Sequence, residues 1–258
     1  MRPLPKIMVA PNGARLTTKD HSAVPVTIAK TVACAVACKE AGADGIHAHV
    51  RDAGQQHVLD AGAYRELIAE TKLKLPDFYV QITTEAVGRY TPEEQRQLVA
   101  DVEAEAVSIA VREMIAGQDD KVLRRFYHDT HAAGTAVQHI LYDAGDVHKL
   151  ADMVSEGIVP SDHLQALIVL GRYAPGQRST PSDLGKPANL LLSLLPYVDW
   201  AVCAFGAEET DCLLAARKMG GKARIGFENN RINRDLTCAK DNAERVRELV
   251  ASLPEEKA

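Results

Sequence analysis

Short apolar, β-prone runs alternate along the whole chain with longer helix-like stretches, and this alternation limits the possible fold more than any other feature. The strand-like runs fall at 7–13, 44–50, 78–84, 106–111, 136–142, 165–171, 200–206 and 223–228. Most are continuously apolar, as expected of parallel strands covered on both faces. The helix-like stretches fall at 25–41, 60–73, 92–103, 119–133, 145–155, 182–195, 208–219 and 240–253. Thr91 is placed to cap the third of these with Pro92 at its first position, where a missing N–H costs nothing. Gly42, Gly134, Gly157 and Gly220 follow others, as helix-ending glycines do. Eight β-then-α units at a period of about 28 residues predict an α/β fold, a (β/α)8 TIM barrel. The alternative is an open doubly wound sheet, but no strand-to-helix turn carries the G-x-G-x-x-G pattern common there. No linker interrupts the pattern, so residues 1–258 read as a single barrel domain.

Composition narrows the function classes. A net charge of −5 without blocks of like charge gives no footprint for nucleic acid. No apolar run reaches the roughly 18 residues of a membrane span. Residues 1–6 lack the apolar stretch of a signal peptide. Cys34, Cys38, Cys203, Cys212 and Cys238 are odd in number and scattered, which reads as buried thiols in a reducing cytoplasm. The expected partners are therefore small molecules, with no nucleic acid and no membrane.

In a barrel of this kind the chemistry sits where strands end and βα loops begin. The second strand ends in Gly45-Ile46-His47-Ala48-His49-Val50-Arg51-Asp52. Alternate residues on a strand share a face, which puts His47 and His49 side by side at about 7 Å between Cβ atoms. Two converging imidazoles begin a metal site, or form a hydrogen-bonded core pair. The other strand ends are also polar: Asn12 and Arg15, Thr83-Thr84-Glu85, Ser108 with Arg112 and Glu113, Tyr142 and Asp143, Arg172, and Glu228-Asn229. The eighth strand neighbours the first in a closed barrel, so Glu228 can face His47 and His49 across the mouth. Two imidazoles and a carboxylate leave an open position for catalysis. Arg224 is expected on the same face as Glu228, either binding a carboxylate or capping the layered core. Thr83 and Thr84 are candidate donors to a substrate carboxylate, or simply good strand residues. His57, His128, His131, His148 and His163 read as surface residues, and His139 as a core residue or a more distant supporting group.

The motifs Gly45-Ile46-His47-Ala48-His49-Val50-Arg51, Gln81-Ile82-Thr83-Thr84, Val169-Leu170-Gly171, Trp200-Ala201-Val202 and Arg224-Ile225-Gly226-Phe227-Glu228 resemble those of the beta-keto acid cleavage enzymes, in order and in spacing. The resemblance implies a TIM-like barrel holding Zn2+ or another divalent metal, with acetyl-CoA as co-substrate. It also implies a homo-oligomer, a tetramer. The implied reaction converts a beta-keto acid and acetyl-CoA into acetoacetate and an acyl-CoA. His47, His49 and Glu228 match the family's metal ligands, and Arg224 its catalytic arginine. Thr83 and Ser108 match hydroxyl residues near the substrate, and Asp143 an acidic residue after the fifth strand. Thr84, Asn12, Arg15 and Asn229 join them as candidate substrate-binding residues.

The departures from the family concern proton handling. Arg15 stands where the family has an acidic residue, Asn229 where it has an aspartate, Glu85-Ala86 where it has two glycines, and Ala207 where it has an arginine. An amide cannot act as the base that a carboxylate can. Glu85, Asp143 or Glu113 is then expected to take the proton. Otherwise the chain is a metal-dependent aldolase or hydrolase without a CoA step, or a metal-containing binding protein.

Overall fold

The computed structural model describes residues 1–254. Eight parallel strands close in sequence order, each paired with the next and β8 with β1. They are β1 (Ile7–Val9), β2 (Gly45–His47), β3 (Tyr79–Thr83), β4 (Ala106–Ala110), β5 (Ala136–Leu141), β6 (Gln165–Leu170), β7 (Asp199–Ala204) and β8 (Lys222–Ile225). The expected barrel is present as one closed unit. Among the described residues no helix is long and apolar enough to cross a membrane.

The helices are α1 (Ile28–Glu40), α2 (Ala61–Lys74), α3 (Pro92–Val102), α4 (Val111–Met114), α5 (Asp120–Ala132), α6 (Ala144–Ser155), α7 (Gly185–Leu194), α8 (Glu209–Lys218) and α9 (Asn242–Ser252). Their starts are set by local caps. Thr91 and Glu94 form a reciprocal capping box at α3, with Pro92 in the first turn. Thr27, Asp60, Asp119, Asp143 and Asp241 each accept a backbone N–H at the start of their helices. The sequence pattern starts the first helix at Pro25, before the Thr27 cap, and the sixth at Ser182, inside a single 3-10 turn that precedes α7. It also missed α4, one turn that closes directly on the end of β4.

Strand parity divides the interior. Ile46, Val80, Ile82, Val107, Ile109, Ala166, Ile168 and Val202 point outward and join the helices in the main core. Met8, Tyr79, Ala106, Ala136, Leu167, Ala201 and Cys203 point inward and fill the barrel. Such a filled interior is a packed core and not a pore. Above it, at the C-terminal ends, the inward positions become polar on β8, β2 and β3 and stay apolar on β4 to β7.

The strands stop earlier than their apolar runs. β8 ends at Ile225, and Gly226 turns the chain with φ +142°. A Cβ at Gly226 would lie 2.5 Å from the Ala10 carbonyl oxygen, so only glycine permits this approach. The Glu228 N–H then donates to the same carbonyl. Asn242 ties the two ends together, accepting from the Phe227 N–H and donating to the Pro11 carbonyl. Beneath this loop the buried ion pair Arg245–Glu209 supports the Gly226 N–H and the Asn230 amide.

Candidate active site

The turn at Gly226 explains a contact that an extended strand forbids. Residues i and i+4 of a strand lie about 13 Å apart. Here Arg224 Nη2 donates to Glu228 Oε1 at 3.0 Å because the chain folds back over its own strand end. Glu228 Oε2 then reaches 3.5 Å from His47 Nε2 and 3.6 Å from His49 Nε2. The two histidine Nε2 atoms are 3.2 Å apart. Ligand atoms of His47, His49 and Glu228 all lie within 4.8 Å of one another. Gly13, with φ +56°, makes room for this cluster, since a Cβ there would lie 2.6 Å from Glu228 Cγ.

The protonation states suit a divalent cation. Burial holds His47 down at about 4, helped by the charge of Arg224. Burial likewise keeps His49 well below the ordinary imidazole range. Burial pushes the Glu228 carboxyl up, but Arg224 and the two imidazoles outweigh it and hold it well below the usual carboxylate range. Two neutral imidazoles and one carboxylate are the form a metal requires. Glu228 Oε2 has no hydrogen-bond partner among the described residues. The donor set therefore fits zinc or a similar ion, with three protein ligands and a fourth position facing a cavity.

That cavity holds about 190 Å3 and opens at the mouth of the barrel. Its lining includes Arg15, His47, Thr83, Glu85, Arg224, Glu228 and Asn229 from the sequence-predicted site residues. Arg224 Nε and Nη1 are buried with no partner among the described residues, and both amide atoms of Asn229 are in the same condition. Such groups are poised for a polar ligand. Thr83 Oγ1 accepts from the Glu85 N–H, which leaves its own hydrogen free to donate. Glu85 Oε2 lies 4.0 Å from His49 Nε2, and Glu85 Oε1 lies 4.0 Å from Arg15. Burial, with Glu228 and Glu113 nearby, raises the Glu85 carboxyl to about 7.

Among the other candidates, Asn12 and Glu113 also line the cavity, while Asp143, Thr84 and Ser108 do not. Asp143 is exposed, caps α6 and pairs with Arg112 at 2.6 Å, and it does not line the cavity. A cap must sit at the helix start, which turns this carboxylate outward and away from the mouth. Asn12 donates to the Pro25 and His49 carbonyls and accepts from the His49 N–H, so its amide holds the backbone just past β2 at the cavity wall. Thr84 lies one residue past an inward position and its hydroxyl donates to the Ser108 carbonyl at 3.4 Å. Ser108 is inward and fully buried, a layer below Ala110, with its hydroxyl unpartnered among the described residues. Glu113 lines the cavity but braces the third loop through the Ala86 N–H at 3.0 Å.

Two residues near the site, Arg51 and His57, have roles that the sequence pattern does not assign. Arg51 donates to the carbonyls of Ala14 at 2.7 Å, Asn12 at 3.1 Å, and Gly13, and so pins the first loop. His57, expected at the surface, is 2 % exposed. It is bridged to Arg51 across the second loop, stacks edge-on against His49 at 4.8 Å, and reaches the Glu85 carbonyl at 3.0 Å. The Arg51–Asp52 pair that follows the histidines was the available signal that this loop turns back on the site. His139 points to the helix layer, against Tyr127 at 5.5 Å, as a core residue.

Comparison with known proteins agrees with this geometry. The chain is 25% identical over 244 residues to a 3-keto-5-aminohexanoate cleavage enzyme of Fusobacterium nucleatum, covering 92% of this chain and 87% of that protein. It is 23% identical over 256 residues to a 3-oxoadipate:acetyl-CoA acetyltransferase of Cupriavidus necator, covering 97% and 88%. Among solved structures, a ternary complex of ObcA with a C4-CoA adduct and oxalate matches with TM-score 0.66 at 13% identity, over 88% of this chain. This chain spans only 63% of that ObcA chain. The 3-dehydroquinate dehydratase of Aquifex aeolicus matches with TM-score 0.60 at 12% identity, over 97% and 99% of the two chains. These structural likenesses establish the barrel fold. Residues 6–256 match the beta-keto acid cleavage enzyme family, and the chain belongs to it.

Proposed function

We propose that this protein cleaves a beta-keto acid with acetyl-CoA as co-substrate, giving acetoacetate and a new acyl-CoA. The observation that carries the reading is the convergence of His47, His49 and Glu228 within 4.8 Å beside an arginine with unpartnered donors. A divalent ion there, zinc by the donor set, would polarise the keto oxygen and lower the energy of an enolate.

The chain's own groups supply the rest. Arg224 offers Nε and Nη1 to the substrate carboxylate while Nη2 stays on Glu228, a charge-assisted pairing stronger than a neutral one. The Thr83 hydroxyl and the Asn229 amide complete the polar side of the cavity. Glu85 takes the proton from the carbon between keto and carboxylate groups. It is beside the metal ligands without belonging to them, and its carboxyl near 7 is matched to proton transfer at neutral pH. Arg15 lies at the rim and balances its charge. The resemblance extends the reading to a cytoplasmic homotetramer, and sedimentation of the purified protein checks the subunit number.

The test is a panel of beta-keto acids with acetyl-CoA and zinc, followed by acetoacetate formation. At least one substrate should turn over, and Glu85→Gln should also slow exchange of the C2 hydrogens into D2O. Failure of every keto acid, with His49→Ala indistinguishable from wild type in metal content, would refute the assignment.

A further inference from the structure

The two ligand histidines are held by different means, and one of the two arrangements has a direction. His47 Nδ1 lies 2.9 Å from Gln81 Oε1. Gln81 Nε2 donates to Gln138 Oε1 at 3.1 Å, and Gln138 Nε2 donates to the Ala166 carbonyl at 3.4 Å. His47, Gln81 and Gln138 are at most 1% exposed. The chain of contacts crosses the barrel interior from β2 through β3 and β5 to β6, beneath the cavity.

A backbone carbonyl can only accept. It therefore requires an N–H from Gln138, which leaves Gln138 Oε1 to accept from Gln81 Nε2. That orientation leaves Gln81 Oε1 facing His47, and an amide oxygen can only accept. His47 must carry its hydrogen on Nδ1, so the lone pair of Nε2 points at Glu228 and His49. His49 has no such support. Its Nδ1 has no partner among the described residues. Its position comes from the Asn12 clamp on its backbone and from packing against His57.

We propose that Gln81 and Gln138 are positioning residues, an amide relay anchored on the Ala166 carbonyl that fixes the tautomer and orientation of His47. The relay rests on the reading of His47 as a metal ligand for its purpose, but not for its existence. Groups behind a ligating histidine characteristically set its ring orientation and basicity, and losing one costs about 10–100-fold in metal affinity.

Nitrogen-15 NMR of the metal-free protein, with His47 assigned through His47→Ala, reads which ring nitrogen bears hydrogen. Wild type should show hydrogen on Nδ1. Gln81→Leu should lose that preference, and Gln81→Glu should keep it, because a carboxylate still accepts there. Zinc affinity from chelator competition should fall about 10–100-fold in Gln81→Leu, with Gln81→Glu closer to wild type. Gln138→Leu frees the Gln81 amide to turn over and should show mixed tautomers and an intermediate loss; it decides the matter if Gln81→Leu does not fold. Hydrogen on Nε2 of wild-type His47, or a tautomer and affinity untouched by both leucine variants, overturns the relay. If the wild-type protein takes up no zinc, the metal reading fails and the NMR result alone judges the relay.

Discussion

The two walls of the cavity are built on opposite principles. The wall from β8 through β1 and β2 to β3 is polar and mutually braced, with Arg224, Glu228, His47 and Thr83 facing inward. The wall from β4 to β7 presents Ala110, Ile140, Val169 and Phe205. Its charged groups stay at the edge. Arg172 lies over the Phe205 ring at 5.4 Å, and Arg112 is held by Asp143 and Asp146. One wall contains charges that desolvation would make costly if any partner were missing. The other is mainly apolar, with Glu113 and Tyr142 among its polar exceptions. The difference teaches how a single small cavity divides its work. On the proposed reading, the reacting groups of a keto acid would meet fixed charges on one side, and shape and apolar area on the other would sort its acyl side chain.

The strongest way to break the polar wall is to neutralise its centre. Glu228→Gln keeps the shape but removes the anionic ligand and leaves Arg224 without its ion partner. Losing one member of a buried pair costs about 3–5 kcal/mol, and loss of a group that stabilises developing charge costs at least about 100-fold in turnover. Both should appear together, as a lower melting temperature and as kcat near the detection limit, with bound metal reduced in elemental analysis. Full turnover at normal metal content would mean that Glu228 is a structural partner of Arg224 alone.

The apolar wall should answer differently. Ile140→Ala enlarges the cavity opposite the ligands without touching any charge. The expected change is in preference: kcat/KM should fall for keto acids with small side chains and rise for longer ones. The ratio should shift by at least about 10-fold, the scale of one or two methylenes in a hydrophobic pocket. Metal content should not move. A uniform loss across the series would show that Ile140 supports the fold and does not contact the side chain.

The same division explains what could be read in the sequence. The barrel was legible because a repeated βα period survives errors in every single boundary. His47, His49 and Glu228 were legible because strand parity and ring closure bring them together from widely separated positions. Arg224 and Glu228 were expected on one face of an unbroken strand, whereas the turn at Gly226 brings them into direct contact. Asp143 caps a helix and Asn12 holds a backbone segment, uses that a polar residue at a strand end serves as readily as substrate contact. His57 was missed because its burial depends on a bridge to Arg51 that no local pattern encodes. Gln81 and Gln138 were invisible as a pair, since their meeting depends on the register between β3, β4 and β5.

The smallest expected effect concerns the border between the walls, where Glu85 sits. Its carboxyl is raised from the usual 4.5 to about 7 by burial and by the neighbouring carboxylates Glu228 and Glu113. In the folded, metal-free protein it therefore binds a proton that the unfolded chain has already released between these values. Stability follows the difference in bound protons, unfolded minus folded, which is negative in this window. The Glu85 contribution is favourable below about 4.5 and is lost as pH rises to about 7. Urea midpoints of the metal-free protein across that range should show a downward component that Glu85→Gln removes, since an amide has no proton to lose. His49 Nε2 lies 4.0 Å from the Glu85 carboxylate, so a zinc ion held by His49 would add positive charge beside it. It favours the ionised form and should flatten the same slope. A slope unchanged by both Glu85→Gln and zinc would place Glu85 in solvent, with no electrostatic tie to the polar wall and no special fitness to take a proton from the substrate.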